Sequence, residues 1–137
     1  MRKILFASTF ESENKRELSI TLLRVFVGLT MALTHGLSKL PPNAMLVDGV
    51  ASMGFPAPEF FAWAAALAEF VGGLFLAIGF LTRPASIFLG FTMFMAAFNI
   101  HLHDSFDKKE MSLLYLAVCV VFAVRGGSKF SADAFLG

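Results

Sequence analysis

Twenty consecutive residues, 84–103, contain no Asp, Glu, Lys or Arg. A helix of that length is about 30 Å long, the thickness of a bilayer's hydrocarbon core. Three more stretches have the same character: 18–40 with one Arg, 58–81 with Glu59 at its edge and Glu69 inside, and 110–124. The last is short for a crossing and is expected to continue through Gly126 and Gly127. Hydrophobic residues make up 57% of the chain and charged residues 15%, with a mean hydropathy of +0.73, well away from the composition of a soluble domain. Because the apolar mass lies in long runs, a β-barrel is disfavoured. The expected fold class is an all-α membrane protein, a bundle of four transmembrane helices.

The separators agree with that count. Pro41-Pro42 ends the first run, Phe55-Pro56-Ala57-Pro58 leads into the second, and Thr82-Arg83-Pro84 turns tightly into the third. The longest connection, 41–57, carries Met, Leu, Val and Phe and reads as a segment lying on the membrane surface. Three segments result: 1–17, a cytoplasmic or interfacial head; 18–127, the transmembrane domain; and 128–137, a cytoplasmic tail. Seven basic residues (Arg2, Lys3, Lys15, Arg16, Arg83, Arg125 and Lys129) fall on the side of the termini. Lys39, Lys108 and Lys109 fall on the other, so both termini are expected in the cytoplasm.

Ionisable groups inside the hydrocarbon region cost roughly 2.5–3.5 kcal/mol each and normally face the helix interior. Here they are Arg24, His35, Glu69 and His101. Helical spacing puts Thr21, Arg24, Gly28, Met31, His35 and Ser38 on one stripe of the first run. On the second run, Ala62, Ala65, Ala66, Glu69, Gly72 and Gly73 form a stripe of small residues that should let a neighbouring helix approach Glu69 closely. At about 1.5 Å per residue, an extended Arg24 is expected to reach Glu69, and His35 and His101 are expected at one level. Asp104 and Glu110 would sit just beyond them, completing a polar track down to Arg24.

Plainer roles exist for each. Arg24 can snorkel to headgroups, His35 can cap a helix end, and a neutral Glu69 can bond the next helix. His101 and His103 diverge on a helix, so no metal site is expected of them. Cys119, on a face with Ser112, Tyr115 and Phe122, reads as a buried inert thiol, and as the sole cysteine it can form no internal bridge. Phe88, Phe91, Phe94 and Phe98 read as lipid-facing or packing surface, or as an aromatic wall for a flat ring ligand. No Cys-x-x-Cys, His-Glu-x-x-His, Gly-x-Ser-x-Gly or phosphate-binding glycine loop occurs. With 11 basic and 10 acidic residues, no nucleic-acid partner is expected.

Several phrases together resemble the DoxX family. They are Leu22-Leu23-Arg24-Val25 with Gly28, His35-Gly36-x-x-Lys39, Met53-Gly54-Phe55-Pro56, Glu69-x-x-Gly72-Gly73, Gly79-Phe80, Thr82-Arg83-Pro84, and His101 and Glu110 before an apolar helix. The resemblance runs from about Leu18 to Asp133. It implies a small four-helix protein of a bacterial-type inner membrane, related to the membrane subunit of thiosulfate:quinone oxidoreductase and to resistance to quinones and catechols. A quinone or similar lipophilic redox ligand follows from the resemblance, with no covalently held cofactor. The implied ligand-binding set is Arg24, His35, Glu69, Asn99, His101 and Glu110, and the catalytic set is Glu69, His101 and His35. In that scheme a histidine bonds a quinone oxygen, Glu69 and Glu110 relay protons, and Arg24 holds the charge of Glu69. The chain has no flavin fingerprint, so a membrane or soluble redox partner would supply electrons, and a homo-oligomer fits equally. The alternatives are a non-catalytic membrane subunit or assembly factor, a small transporter, and, least supported, a b-type haem protein using His35 and His101.

Overall fold

The computed structural model describes residues 12–137. The reading of the head as an interfacial segment falls largely on residues 1–11, outside the described residues. Among the described residues every regular element is helical. Helix α1, Glu13–Thr30, continues through a π-helical turn, Met31–Gly36, and a tight turn, Leu37–Lys39. A short α2, Ala44–Ser52, precedes the long α3, Pro58–Ile78. Helix α4, Thr82–Met95, also ends in a π-helical turn, Ala96–Ile100. Helix α5, Phe106–Arg125, and the short α6, Ala132–Leu136, complete the chain.

Three helical stretches, Glu13–Lys39, Pro58–Ile78 and Thr82–Ile100, are long and apolar enough to cross a bilayer. The fourth apolar run differs from expectation at both ends. Its helix begins at Phe106, four residues early, so its first turn takes in the charged run Asp107 to Glu110. It stops at Arg125 because Gly126 adopts φ +83°, which directs the chain out of the helix and into the tail.

Local signals account for the other boundaries. The Asn43 side chain caps α2 by accepting from the Leu46 amide at 2.9 Å. Pro58 occupies the first turn of α3, where its missing N–H costs nothing. Gly79, at φ +71°, ends α3, and the Phe80 amide reaches back to Phe75 O at 2.9 Å.

Helices α1 and α3 cross with their backbones in contact. A Cβ on Gly28 would lie 2.5 Å from the Ala77 nitrogen, one on Gly73 2.8 Å from the Ala32 nitrogen, and one on Gly36 2.4 Å from the Phe70 nitrogen. The small-residue stripe thus packs as expected: Ala62, Ala66, Glu69, Gly72 and Gly73 are buried, and Ala65 is half-buried. On α1 the stripe holds through Arg24, Gly28 and Met31, but Ser38 is exposed and bonds back to Thr34 and His35 carbonyls. Helix α5 lies along α4, with Gly90 facing Cys119, and Val27, Met31, Leu76, Leu89, Met93, Tyr115, Cys119 and Phe122 form the core. The outward faces are apolar, as at Phe26 (70% exposed) and Ile87 (60% exposed).

Candidate functional site

Glu69 is 3% exposed, and its partner is Lys39, whose Nζ donates to both carboxylate oxygens at 2.7 Å. The α1–α3 crossing explains the meeting: with Gly36 against Glu69 and Phe70, Lys39 comes one turn later on the same side of α1. The Lys39 side chain stays 35% exposed while its ammonium meets the buried carboxylate.

The pair closes the polar end of a cavity of about 270 Å³. Helix α3 contributes Phe61, Ala64, Ala65 and Ala68; α4 and its π-turn contribute Phe88, Phe91, Thr92, Met95, Ala96 and Ile100. Leu46 and Val50 of α2, with Met53 and Phe55, form the remaining wall. The Thr92 hydroxyl donates to its own helix at Leu89 O, 2.8 Å, so Lys39 and Glu69 supply the charge in an otherwise apolar space. Small alanines on α3 make the room, and of the four phenylalanines of the third apolar run Phe88 and Phe91 line it, while all four remain largely exposed on the outward surface.

The other expected site residues lie elsewhere. Arg24 does not pair with Glu69: Nη2 donates to the Phe130 carbonyl at 2.9 Å, and Nη1 lies against Gly79. Glu69 is ten residues from Gly79, about 15 Å along α3, which is beyond the reach of that guanidinium. His35, half-buried, meets Tyr115 edge-on with ring centroids 5.5 Å apart. His101 lies in the α4–α5 loop, where Nδ1 is 2.7 Å from Asp104 Oδ2. Tyr115 is about 14 Å into α5 from the end at which His101 lies, so the two histidines do not share a level. The Asp104 carboxyl is held below its usual value of 3.8, chiefly by the His101 hydrogen bond; desolvation opposes this, and the charges of Lys108, His101 and Lys109 add to the lowering. Asn99 is exposed and bonds Met95 Sδ at 3.5 Å, and Glu110 is exposed on the first turns of α5. The expected polar track is therefore broken into separate pairs, of which one lines the cavity. No group of three or more His, Cys, Asp or Glu among the described residues is arranged to hold a metal ion.

The tail forms a second polar cluster, at the opposite end of α3. Asp133 accepts from the Leu81 and Thr82 amides at 2.7 and 2.9 Å, and its own amide donates to Gly79 O at 2.8 Å. Glu17 accepts from the Lys129 amide at 2.8 Å and pairs with Arg125, while Thr21 bonds Ser128. Residues 128–136 thus clasp the ends of α1, α3 and α4.

In the sequence Lys39 stood out as a basic flank on the far side and as the last residue of the phrase His35-Gly36-x-x-Lys39, not as a partner of Glu69. Its signal was the spacing Gly28, Ala32, Gly36, Lys39, which continues the close-contact face of α1 to the charged residue. The contribution of α2 had no comparable signal, because its residues become a wall only when folded back on α3.

A chain whose described residues form only helices, three of them fit to cross a bilayer, with a ligand-sized cavity between two of these, is a multi-pass membrane protein. The DoxX sequence profile matches residues 19–102, and the chain belongs to the DoxX family. The match takes in Lys39, Glu69 and every wall of the cavity. The chain is also 28% identical over 121 residues, 88% of each protein, to a Bacillus subtilis (strain 168) protein named "Putative oxidoreductase CatD". No solved structure matches the chain.

Proposed function

We propose that this protein holds a quinone or similar lipophilic redox ligand in the α2–α3–α4 cavity, as the membrane component of an oxidoreductase system. The observation that carries this reading is the ammonium–carboxylate pair at the end of an apolar cavity of about 270 Å³. An apolar pocket with a few convergent polar groups suits a flat ring with oxygen at one edge. A quinone, when bound, supplies a two-electron, two-proton couple. Lys39 is suited to donate a hydrogen bond to an oxygen at the polar end, and Glu69 to hold or move a proton at the same atom. The apolar walls exclude water, which strengthens both interactions. Lys39 thus takes over the part first expected of His35 or His101, and the Arg24 clasp has a structural role. Electrons would come from a redox partner protein, since the chain has no flavin fingerprint and no cysteine pair. The similarity to an oxidoreductase-named relative supports the same class of activity.

The reading includes a fourth crossing by α5, both termini in the cytoplasm and a bacterial-type inner membrane, supported by the basic residues collected near the termini. The test is organic extraction and mass spectrometry of protein purified in mild detergent, wild type beside Glu69→Gln. A quinone retained by the wild type and lost from the variant supports the reading. Absence from both removes it and favours a non-catalytic membrane subunit.

A further inference from the structure

We infer that the cavity receives its ligand from within the bilayer, polar head first, and that the ligand's hydrocarbon tail leaves between α3 and α4 past Ala64, Phe88 and Phe91. This rests on the quinone reading and specifies the ligand class as a ring head bearing a long apolar chain. The residues lining the cavity fall into two unlike groups. Glu69 is 3% exposed, with contact to the outside through the 35%-exposed side chain of Lys39. Phe88 and Phe91 line the cavity yet remain 67% and 55% exposed, and Ala64 on the facing helix is exposed as well.

Those exposed residues belong to two helices long and apolar enough to cross a bilayer, next to the outward Leu67 and Ile87. The mouth therefore opens onto the apolar surface. The third side is covered by α2 and the segment after it: Val50 is 4% exposed, and Phe55 packs on Phe61 with centroids 4.8 Å apart. A tail leaving at the mouth stays in hydrocarbon, whereas one leaving past α2 would cross a helix that carries Asp48 and is capped by Asn43. The same layout separates the routes of ligand and proton, because the charged pair reaches the exterior at Lys39 and not at the mouth.

The test uses two benzoquinones with a decyl chain, one carrying a diazirine on the ring and one at the chain terminus, added to the full-length protein in phosphatidylcholine nanodiscs. Peptide mapping should find the ring probe near Lys39 and Glu69 and the chain probe at Ala64, Phe88 or Phe91. Ala64→Trp, which fills the mouth, should lower chain-probe labelling about tenfold, the loss expected when about two methylenes lose their groove. Ring labelling in the cavity with chain labelling on α2 would overturn the lateral mouth alone. No labelling of the cavity by either probe would overturn the quinone reading, and this inference with it.

Discussion

The guanidinium of Arg24 occupies the space where a side chain on Gly79 would begin: a Cβ built there lies 1.4 Å from Nη1 and 2.4 Å from the Ser131 Cβ. Gly79 also sits at φ +71°, where L side chains are strained. Gly79→Ala should therefore displace Arg24 from Phe130 and loosen the tail. Steric overpacking and backbone strain together predict a cost of about 2–4 kcal/mol, read as a lower Tm in detergent. An unchanged Tm would show that the clasp does not contribute to stability.

Asp133 links that clasp to pH. Burial alone would raise its pKa; the Thr82 side chain, the Thr82 and Leu81 amides and the nearby Arg24 charge together hold it below the usual 3.8. A carboxyl with a lowered folded-state pKa contributes stability that is fully present above pH 3.8 and is lost as pH falls through the lower, folded-state value. Protection of residues 128–137 from carboxypeptidase or amide exchange should fall as the pH drops below 3.8. Asp133→Asn should weaken protection already at pH 7, by about 1–2 kcal/mol, and flatten its pH dependence.

The Lys39–Glu69 pair should appear as coupling between two substitutions. Lys39→Met leaves a carboxylate 3% exposed without its partner, and a cost of about 1–3 kcal/mol is expected. Adding Glu69→Gln should recover part of it, so the double variant is more stable than the sum of the singles predicts. Strict additivity in thermal melts would mean that the pair does not form in the bilayer or micelle.

Two glycines should respond in opposite directions. On Gly28 a Cβ would lie 2.5 Å from the Ala77 nitrogen, so Gly28→Ala must push α1 off α3 at about 1–3 kcal/mol. On Gly49, inside α2, a Cβ meets nothing within 4 Å, and Gly49→Ala should stabilise by about 0.5–1 kcal/mol. A Tm for Gly28→Ala at or above that of the wild type would contradict the close α1–α3 crossing.

The proposed fourth crossing can be tested by labelling. With Cys119→Ser as background, a cysteine at Lys129 should react with an impermeant maleimide from the cytoplasmic side, and one at Asp107 from the opposite side. Labelling of both from one side would leave α5 on the surface.

Much of the architecture was legible in the sequence because bilayer-length apolar runs and proline punctuation act locally. The small-residue face of α3 was legible for the same reason: Ala62, Ala65, Ala66, Glu69, Gly72 and Gly73 recur at helical spacing, and all but the half-buried Ala65 are buried. So was the apolar burial of Cys119 with Tyr115 and Phe122.

Pairing between helices was not legible, because periodicity gives the face of a residue but not its height against a neighbour. The contacts of Gly28 with Ala77 and Gly36 with Phe70 set that height, and with it Lys39 beside Glu69 and Arg24 ten residues away at Gly79. Sequence alone determined the inward faces of α1 at Arg24, Gly28 and Met31 and of α3 around Glu69, since helical period and hydropathy are properties of one segment, though it also turned inward Ser38, Asn99 and Glu110, which are exposed. Only the tertiary structure decided which of them meet, because the register of two crossing helices is set where their backbones touch.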